Sequence, residues 1–253
     1  MEIDRTKVNA GRIYDYFLGG NHNFEVDRAA AKQISAMVPS AQSAARLNRW
    51  YMHAAVEQLV AAGLDCYLDL ATGLPTQGYI HDLAPDAHIL YNDIDPVTVE
   101  YGRLIVGDMP NVRYLQSNID QIDDILKEAD IHFRGERRIA VCFVGAAYFF
   151  DDTTIGHILD RLHNWCAPGS QVALSWTVYE DMTDHPVLEM YRRMGSAVYP
   201  RSLETIRHLL ARWTINEPGL LPLSEWNKVE EWRTAGGIDP EGWDMYGVIV
   251  TRP

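Results

Sequence analysis

The stretch LDLATGLPTQG, residues 68–78, decides the fold predicted for this chain. The segment GLDCY leads into it, and apolar residues at helical spacing follow it. This order predicts a buried strand, a tight turn and the start of a helix. Turns of this kind hold cofactors in α/β proteins, because backbone N–H groups and strand-end side chains converge there. The residues of the turn should therefore indicate which cofactor it can hold.

The chain around this stretch alternates between strand and helix patterns. From residue 64 the predicted strands are DCYLDLA, HILYND, VRYLQS, RIAVCFVG and SQVALSWTVY, and DMYGVIVTRP comes last. Helical spacing between them predicts an α/β fold with a mainly parallel sheet covered on both faces. The last segments suggest an antiparallel hairpin at the sheet edge. Residues 8–62 are Ala-rich and lack strand alternation, which predicts helices. We expect a helical cap or lid over residues 1–63 and one compact Rossmann-like domain over residues 64–253.

The charge distribution argues against a nucleic-acid partner. The net charge is −13, and residues 1–64 carry 7 Lys/Arg against 6 Asp/Glu, so the acidic excess lies in the remainder. An acidic body repels phosphate backbones. The three cysteines have no metal-ligand spacing and suggest buried thiols in a reducing cytoplasm. No signal peptide and no long apolar run are evident, so we expect a cytoplasmic location, no membrane span and no metal.

The composition of the turn favours S-adenosylmethionine over a dinucleotide. A dinucleotide fingerprint needs several glycines near the pyrophosphate, yet Ala71 occupies an early glycine position and Pro75 removes an N–H donor. Asp69 would repel a phosphate and attract a cation. Asp93 ends the second predicted strand, 24 residues later, where a carboxylate can reach ribose hydroxyls. A sulfonium, an ammonium and a ribose without phosphate fit this pattern, although a single glycine loop also leaves the dinucleotide open.

Four segments carry a resemblance to a known family: GRIYDYFLGGNHNFEVDRAAA, LDLATGLPTQGYIH, YNDIDP and EPGLLPLSEW. Together they resemble the actinobacterial S-adenosylmethionine-dependent methyltransferase family first catalogued as DUF574, over nearly the whole chain. The resemblance implies a class I methyltransferase fold, with a seven-stranded sheet whose last strand is antiparallel. It also implies that S-adenosylmethionine binds at the carboxyl ends of the first three strands. It does not imply a substrate.

Two positions depart from the family pattern. The family loop usually reads D-I-G-S-G-L-P-T, so Ala71 replaces its first glycine, and binding should survive if the backbone dihedrals of Ala71 permit. Many relatives have an aspartate after the third strand that accepts the adenine amino group, where Asn118 stands here. Its amide oxygen can still accept. The resulting candidate cofactor-binding residues are Asp69, Ala71, Thr72, Gly73, Thr76, Asp93, Ile94, Asn118, Ile119 and Gly145, with Tyr14, Tyr16 and Gly20 of the N-terminal motif.

The N-terminal motif is the predicted lid. It mixes aromatic, Asp, Asn and Gly residues more densely than packing alone would need, so we expect Tyr14 and Tyr16 to contact the cofactor or the acceptor. His22 is the most attractive general base, although a lone histidine is more often structural. Arg46 and Arg49 lie three residues apart on one helical face. They could bind the methionine carboxylate or an acidic acceptor, or simply face solvent.

Tyr148, Phe149 and Phe150 follow the fourth predicted strand and could form the wall of an acceptor pocket or simply a packed helix entry. Residues 184–211 are predicted as a helix broken near Gly195. Together these patterns predict an S-adenosylmethionine-dependent methyltransferase acting on a small molecule of secondary metabolism. Two alternatives stay open: a protein that binds the cofactor without methyl transfer, and a non-methylating enzyme such as a cyclase. A homodimer is a further expectation.

Overall fold

The computed structural model describes residues 5–74, 79–178, 185–226 and 244–253. Over these residues the chain forms nine α-helices. They are α1 Ala10–Phe17, α2 Glu25–Met37, α3 Ala41–Ala61, α4 Ile80–Leu83, α5 Pro96–Val106, α6 Ile122–His132, α7 Asp152–Trp165, α8 Pro186–Arg193 and α9 Leu203–Leu209. None of these helices is both long and apolar enough to cross a bilayer.

The same residues contribute eight strands to one sheet. They are β1 Cys66–Leu70, β2 His88–Asp93, β3 Val112–Gln116, β4 Ala140–Phe143, β5 Gln171–Val178, β6 Thr214–Ile215, β7 Leu221–Pro222 and β8 Asp244–Thr251. The strand order is β3-β2-β1-β4-β5-β8-β6, and β7 pairs with β8 beside this path. Strands β1 to β5 run parallel, and β8 runs antiparallel to β5.

The position of β1 at the centre of the parallel region creates a crevice. Tyr67 of β1 pairs with Ile89 of β2 on one side and with Ala140 of β4 on the other. The chain therefore builds outward from β1 to β3 and then returns to place β4 against the free side of β1. Where the strand order reverses in this way, a crevice opens at the carboxyl ends of the strands. Side chains that end β1 to β4 consequently share one edge.

The pleat of β1 assigns its side chains to two different faces of the sheet. Cys66, Leu68 and Leu70 join the apolar layer formed with α6 and α7, whereas Tyr67 joins the layer formed with α3 and α5. Because successive side chains of a strand point to opposite faces, Asp69 lies on the same face as Tyr67. The carboxylate that ends β1 is therefore on the face that α3 covers.

Helix α3 is fixed on this face by a contact with the last strand. The hydroxyl of Tyr51 donates a hydrogen bond to the carbonyl oxygen of Val248 at 2.8 Å, and its ring meets Trp226 edge to face with centroids 4.9 Å apart. A Cβ at Gly247 would come within 2.6 Å of the Tyr51 ring, so only glycine allows this approach. These contacts fix the rotation of α3 about its axis, and hence which of its residues face the crevice.

A third apolar cluster joins the N-terminal helices to α8. Ile13 and Phe17 of α1 pack with Ile34 of α2 and with Val187 and Leu188 of α8. The segments before β1 and after β5 thus meet at the same end of the molecule. This junction lies beside the carboxyl edge of the sheet, because α1 and the residues after α8 line a common cavity there.

The sequence-based expectations hold for the α/β class, the mainly parallel sheet and the antiparallel last strand. The predicted antiparallel hairpin of the last segments is present as β7 paired with β8, although β8 itself lies between β5 and β6. One detail differs, because the two-residue β7 is an eighth strand beside the seven-strand path. The 184–211 segment forms α8 and α9 within its described part, with the break near Gly195 as predicted. The cysteines are free and buried, as expected.

Candidate functional site

A cavity of about 350 Å³ opens at the carboxyl ends of β1 to β4. Strand ends form one side of it, while α1, α3 and the residues after β4 and α8 form the others. The lining residues from the strand ends and the loops that follow them include Asp69, Ala71, Thr72, Gly73, Asp93, Ile94, Asn118, Ile119, Gly145 and Ala146. Nine of the predicted cofactor-binding residues therefore meet at this side of the cavity, and Tyr14 of α1, which also lines it, is the tenth. Thr76, another of them, lies outside the described residues.

The loop after β1 turns sharply through two residues with positive φ. Ala71 has φ 53° and Gly73 has φ 73°. The left-handed conformation costs a non-glycine residue about 1–2 kcal/mol, so Ala71 retains the turn of a glycine loop at a cost in strain. The turn is held by Thr72, whose N–H donates to the carbonyl oxygen of Asn92 at 2.9 Å and whose hydroxyl donates to that of Asp69 at 3.0 Å. The backbone dihedrals of Ala71 thus permit the substitution.

Asp93 connects this loop to the end of β2. Its Oδ2 accepts from the N–H of Gly73 at 2.8 Å, and its Oδ1 accepts from the N–H of Asp95 at 2.8 Å. Burial raises the pKa of Asp93 to about 6, and the two backbone donors oppose that rise. Each carboxylate oxygen keeps a second lone pair that a ligand hydroxyl can use. Asp95 caps α5 by accepting a hydrogen bond from the N–H of Val97 at 2.9 Å.

The end of β3 provides an amide and apolar side chains. Asn118 caps a short 3₁₀ turn, where its Oδ1 accepts from the N–H of Asp120 at 3.2 Å. Ile119 is buried beside it, and Ile94 after β2 is 62% exposed although it is apolar. All three lining residues face the same cavity. An exposed isoleucine across from a polar amide suits a flat heteroaromatic ring with a hydrogen-bonding edge.

Asp69 is the most buried carboxylate of the site, with 4% of its surface exposed. Burial raises its pKa to about 7, while a hydrogen bond from Thr72 and the charge of Arg49 oppose that rise. Burial disfavours the charged form of an isolated carboxylate. A cationic group in the cavity would reverse this effect, because an opposite charge nearby favours ionisation.

Gly145 closes the cavity at the end of β4 and could not be replaced without a clash. Its φ is 79°, and an added Cβ would lie 2.6 Å from Nδ2 of Asn48. Its N–H donates to Oγ of Ser175 at 2.8 Å, which fixes the turn. The small residue therefore lets α3 approach the strand end closely.

Two helical residues reach the cavity beside Gly145. The hydroxyl of Tyr14 donates to the carbonyl oxygen of Ala45 at 3.0 Å and accepts from Nδ2 of Asn48 at 3.1 Å. Burial also raises the pKa of Tyr14, so its phenol stays protonated and its proton is engaged by the backbone. Sequence reasoning missed Asn48, since a single amide within an amphipathic helix gives no local signal.

Three residues predicted from the N-terminal motif lie outside the described lining of the cavity: Tyr16, Gly20 and His22. Tyr16 is two residues from Tyr14, and residues at that spacing do not share a helix face. It packs against the N-terminal cluster instead. Gly20 lies over Asp15, where an added Cβ would be 2.0 Å from a carboxylate oxygen. The His22 ring meets Tyr101 edge to face at 4.9 Å outside this lining, and its role as a general base stays a prediction.

The polar residues of this motif form an internal network. The carboxylate of Asp15 accepts from the N–H of His22 at 2.9 Å and from Nδ2 of Asn23 at 2.8 Å. Arg12 pairs with Asp27 at 2.7 Å, and both side chains are buried. The Asp, Asn and Arg residues of this motif are therefore bonded to one another. This corrects the expectation that packing alone would not need so many polar residues.

The two arginines of α3 lie in different environments in the structure. Arg49 lines the cavity, and it is the one cationic side chain among the described lining residues. Arg46 is exposed and does not line it. His81 does not line the cavity; its Nδ1 shares a 2.8 Å hydrogen bond with the Tyr91 hydroxyl.

Aromatic side chains after β4 and on α8 form one wall of the cavity. Tyr148, Phe149 and Phe150 line the cavity after β4, as the sequence suggested, and Tyr191 of α8 joins them. The rings of Phe149 and Tyr191 lie 6.0 Å apart between centroids, and those of Tyr148 and Phe149 lie 4.7 Å apart. Burial raises the pKa of Tyr191 to about 12, and it also raises the pKa of Tyr148 well above its ordinary value. These phenols are neutral near pH 7.

Comparison with solved structures places this architecture among methyltransferases. A DUF574 family protein from Streptomyces avermitilis is 25% identical, with a TM-score of 0.87 and 100% of each chain covered. A Thermobifida fusca protein classed as a methyltransferase is 26% identical, with a TM-score of 0.83, 98% of this chain covered and 96% of that one. Geranyl diphosphate C-methyltransferase from Streptomyces coelicolor shares the fold at 10% identity, with a TM-score of 0.51, 79% of this chain covered and 80% of that one.

A search of the curated proteins found no match. The family model described as S-adenosyl methyltransferase matches residues 1–252, almost the full length of the sequence. The methyl donor of that family is S-adenosylmethionine, in agreement with the expectation from the loop after β1. The chain therefore belongs to the S-adenosyl methyltransferase family and is an S-adenosylmethionine-dependent enzyme.

Proposed function

We propose that this enzyme methylates a small molecule of secondary metabolism that carries an apolar or aromatic body. The observation that supports this proposal is the group of aromatic side chains that lines the cavity, Tyr148, Phe149, Phe150 and Tyr191. Small-molecule sites are concave, mostly apolar, and contain a few polar groups that fix orientation. A flexible macromolecule would need a longer open groove than a cavity of about 350 Å³ supplies.

The residues present fit the adenosine part of the cofactor. Asp93 has free lone pairs for ribose hydroxyls, and Asn118 has an amide oxygen that can accept from an adenine amino group. Ile94 and Ile119 provide apolar contact for the ring, and the backbone of Gly73 approaches without a side chain. We assign the adenosine to the ends of β2 and β3 on these grounds. When bound, S-adenosylmethionine supplies an electrophilic methyl group.

The chain itself contributes orientation and the exclusion of water. The tyrosine phenols of the cavity are protonated, and no histidine is found among the lining residues that the structure describes. Protonated phenols cannot remove a proton from a weakly acidic acceptor, and we assign the two carboxylates of the cavity, Asp69 and Asp93, to the cofactor. We therefore propose an acceptor atom that is nucleophilic at neutral pH. Holding such an atom in line with the methyl group accounts for most of the catalysis that this site can supply.

The N-terminal helix is proposed as the lid, within the helical cap of residues 1–63. Tyr14 lines the cavity from α1, in line with the contact expected of it. The guanidinium of Arg12 lies 2.7 Å from Asp27 and 3.6 Å from Asp95, which follows the Asp93 turn. This link holds α1 close to the loop that we assign to the ribose. The remainder, residues 64–253, forms the cofactor-binding unit of the proposal.

Calorimetric titration with S-adenosylmethionine tests this assignment. Asp93→Ala should lower the affinity by about tenfold or more, because a charged acceptor of hydrogen bonds is lost. The control is Asp86→Ala, an exposed carboxylate before β2 that does not line the cavity. Equal affinity in the wild type and Asp93→Ala would contradict the assignment.

A screen with a methyl-labelled donor and apolar or aromatic small molecules tests the acceptor class. Labelled product from such a compound supports the proposal. Binding of the donor without label transfer to any acceptor would favour the binding-protein alternative. Conversion of an acceptor without incorporation of label would favour a non-methylating enzyme such as a cyclase.

A further inference from the structure

Two adjacent residues of α3 line the cavity and carry buried polar atoms without hydrogen-bond partners. Asn48 is 1% exposed, and its Oδ1 has no hydrogen-bond partner. The Nε of Arg49 is also buried without a partner. Buried polar atoms are normally hydrogen-bonded, so each such exception in a cavity indicates a group that a ligand completes. One of these atoms accepts a hydrogen bond and the other donates one.

The position of Arg49 is defined by the aromatic rings around it. Its guanidinium lies 5.2 Å from the centroid of the Tyr79 ring and 5.8 Å from that of the Tyr14 ring. The hydroxyl of Tyr79 donates to the carbonyl oxygen of Leu74, which belongs to the loop after β1. Arg49 therefore lies where that loop meets α3. Asp69 is on the same face of the sheet, and its pKa responds to the charge of Arg49.

The strand order places the residues at the ends of β3, β2, β1 and β4 in a row along the edge of the sheet. Neighbouring strands are about 4.8 Å apart, so the ends of β3, β2, β1 and β4 follow one another across roughly 14 Å. Asn118, Asp93, Asp69 and Gly145 mark these ends in that order. An extended ligand whose adenosine occupies the first two positions has its other end at β1. That end meets one anionic and one cationic side chain, Asp69 and Arg49.

We propose that Arg49 binds the α-carboxylate of S-adenosylmethionine and that Oδ1 of Asn48 accepts a hydrogen bond from its α-ammonium, with Asp69 as the counter-charge. Only the amino-acid end of this cofactor carries both charges, and the adenosine carries neither. The proposal rests on the adenosine assignment made above. Neither residue touches the reacting methyl group, so both are specificity residues that select the cofactor by its amino-acid end.

Three probes that differ only at that end separate the two roles. S-Adenosylhomocysteine has both charged groups, S-adenosyl-3-thiopropylamine has the ammonium alone, and 5′-methylthioadenosine has neither. Each is titrated calorimetrically into the wild type, Arg49→Gln, Asn48→Ala and the control Arg46→Gln. Arg46 is exposed on the same helix and does not line the cavity. Circular dichroism of each variant checks that the fold is retained.

Arg49→Gln should lower the affinity for S-adenosylhomocysteine by about 10- to 100-fold, the loss of a charge-assisted hydrogen bond, and leave the other two probes unchanged. Asn48→Ala should weaken the two probes that carry the ammonium and spare 5′-methylthioadenosine. Arg46→Gln should bind all three like the wild type. If Arg49→Gln does not fold, Arg49→Lys serves instead, and a loss confined to S-adenosylhomocysteine again supports the proposal.

Two results would overturn the proposal. Unchanged binding of S-adenosylhomocysteine by Arg49→Gln would assign this arginine to an acidic acceptor instead. Equal losses for all three probes would show a structural role. Failure of the adenosine assignment looks different, since Asp93→Ala would then bind every probe like the wild type.

Discussion

Replacing Asp69 by asparagine should make the protein more stable near neutral pH and weaken the dependence of its stability on pH. The carboxyl is 4% exposed, and burial raises its pKa to about 7. In the unfolded chain an aspartate titrates near about 3.9. The folded chain therefore holds this proton more tightly than the unfolded chain. Its contribution to stability is complete below about pH 4 and is lost as the pH rises through about 7.

The size of the effect follows from the same shift in pKa. Between these two pKa values the carboxyl is protonated in the folded chain and ionised in the unfolded chain. In that range the free energy of unfolding falls by about 1.4 kcal/mol for each unit by which the pH rises. From about pH 5 to about pH 8 the wild type should lose about 3 kcal/mol through this group. Asparagine has no such titration, so Asp69→Asn should lack this part of the loss. Asp93, with a pKa of about 6, contributes a smaller loss of the same sign to both proteins.

Urea denaturation followed by circular dichroism at several pH values between about 5 and about 8 measures this difference. The matched control is Asp65→Asn, an exposed carboxylate that precedes the same strand. The control should follow the wild-type dependence. If Asp69→Asn lost as much stability with rising pH as the wild type, Asp69 would not be the buried titrating group, and the reasoning would be refuted.

Three further substitutions test the geometry. Gly145→Ala should destabilise the protein by about 1–3 kcal/mol and weaken cofactor binding, because the added Cβ would lie 2.6 Å from Nδ2 of Asn48 and the backbone φ is 79°. A variant that melts and binds the cofactor like the wild type would contradict this prediction. Arg201→Met should cost about 2–3 kcal/mol in urea denaturation, since the buried guanidinium pairs with Asp152 at 2.7 Å and donates to backbone carbonyls; a change below about 0.5 kcal/mol would argue against it. Ala71→Gly should leave stability within about 1 kcal/mol, because relief of strain offsets the entropy of glycine; a larger loss by the same assay would show that the positive φ is unstrained.

Local sequence patterns are sufficient to predict the sheet and the residues of the site that lie at the strand ends. Asp69, Asp93, Asn118 and Gly145 each follow a short apolar run, and parallel strands bring their carboxyl ends to one edge whatever the helices do. Local order along the chain is enough for this result. The two-residue strand β6 escaped prediction, because so short a pairing has no pattern of its own and depends on β8 beside it.

The other half of the site was decided by tertiary structure alone. Which residues of α3 face the cavity depends on the rotation of that helix, and the Tyr51 hydroxyl fixes it on Val248, 197 residues away in the chain. That contact is consistent with Arg49 and Asn48 facing the cavity while Arg46 faces solvent. Helical spacing identifies residues that share a face, but only packing between distant segments determines where that face points.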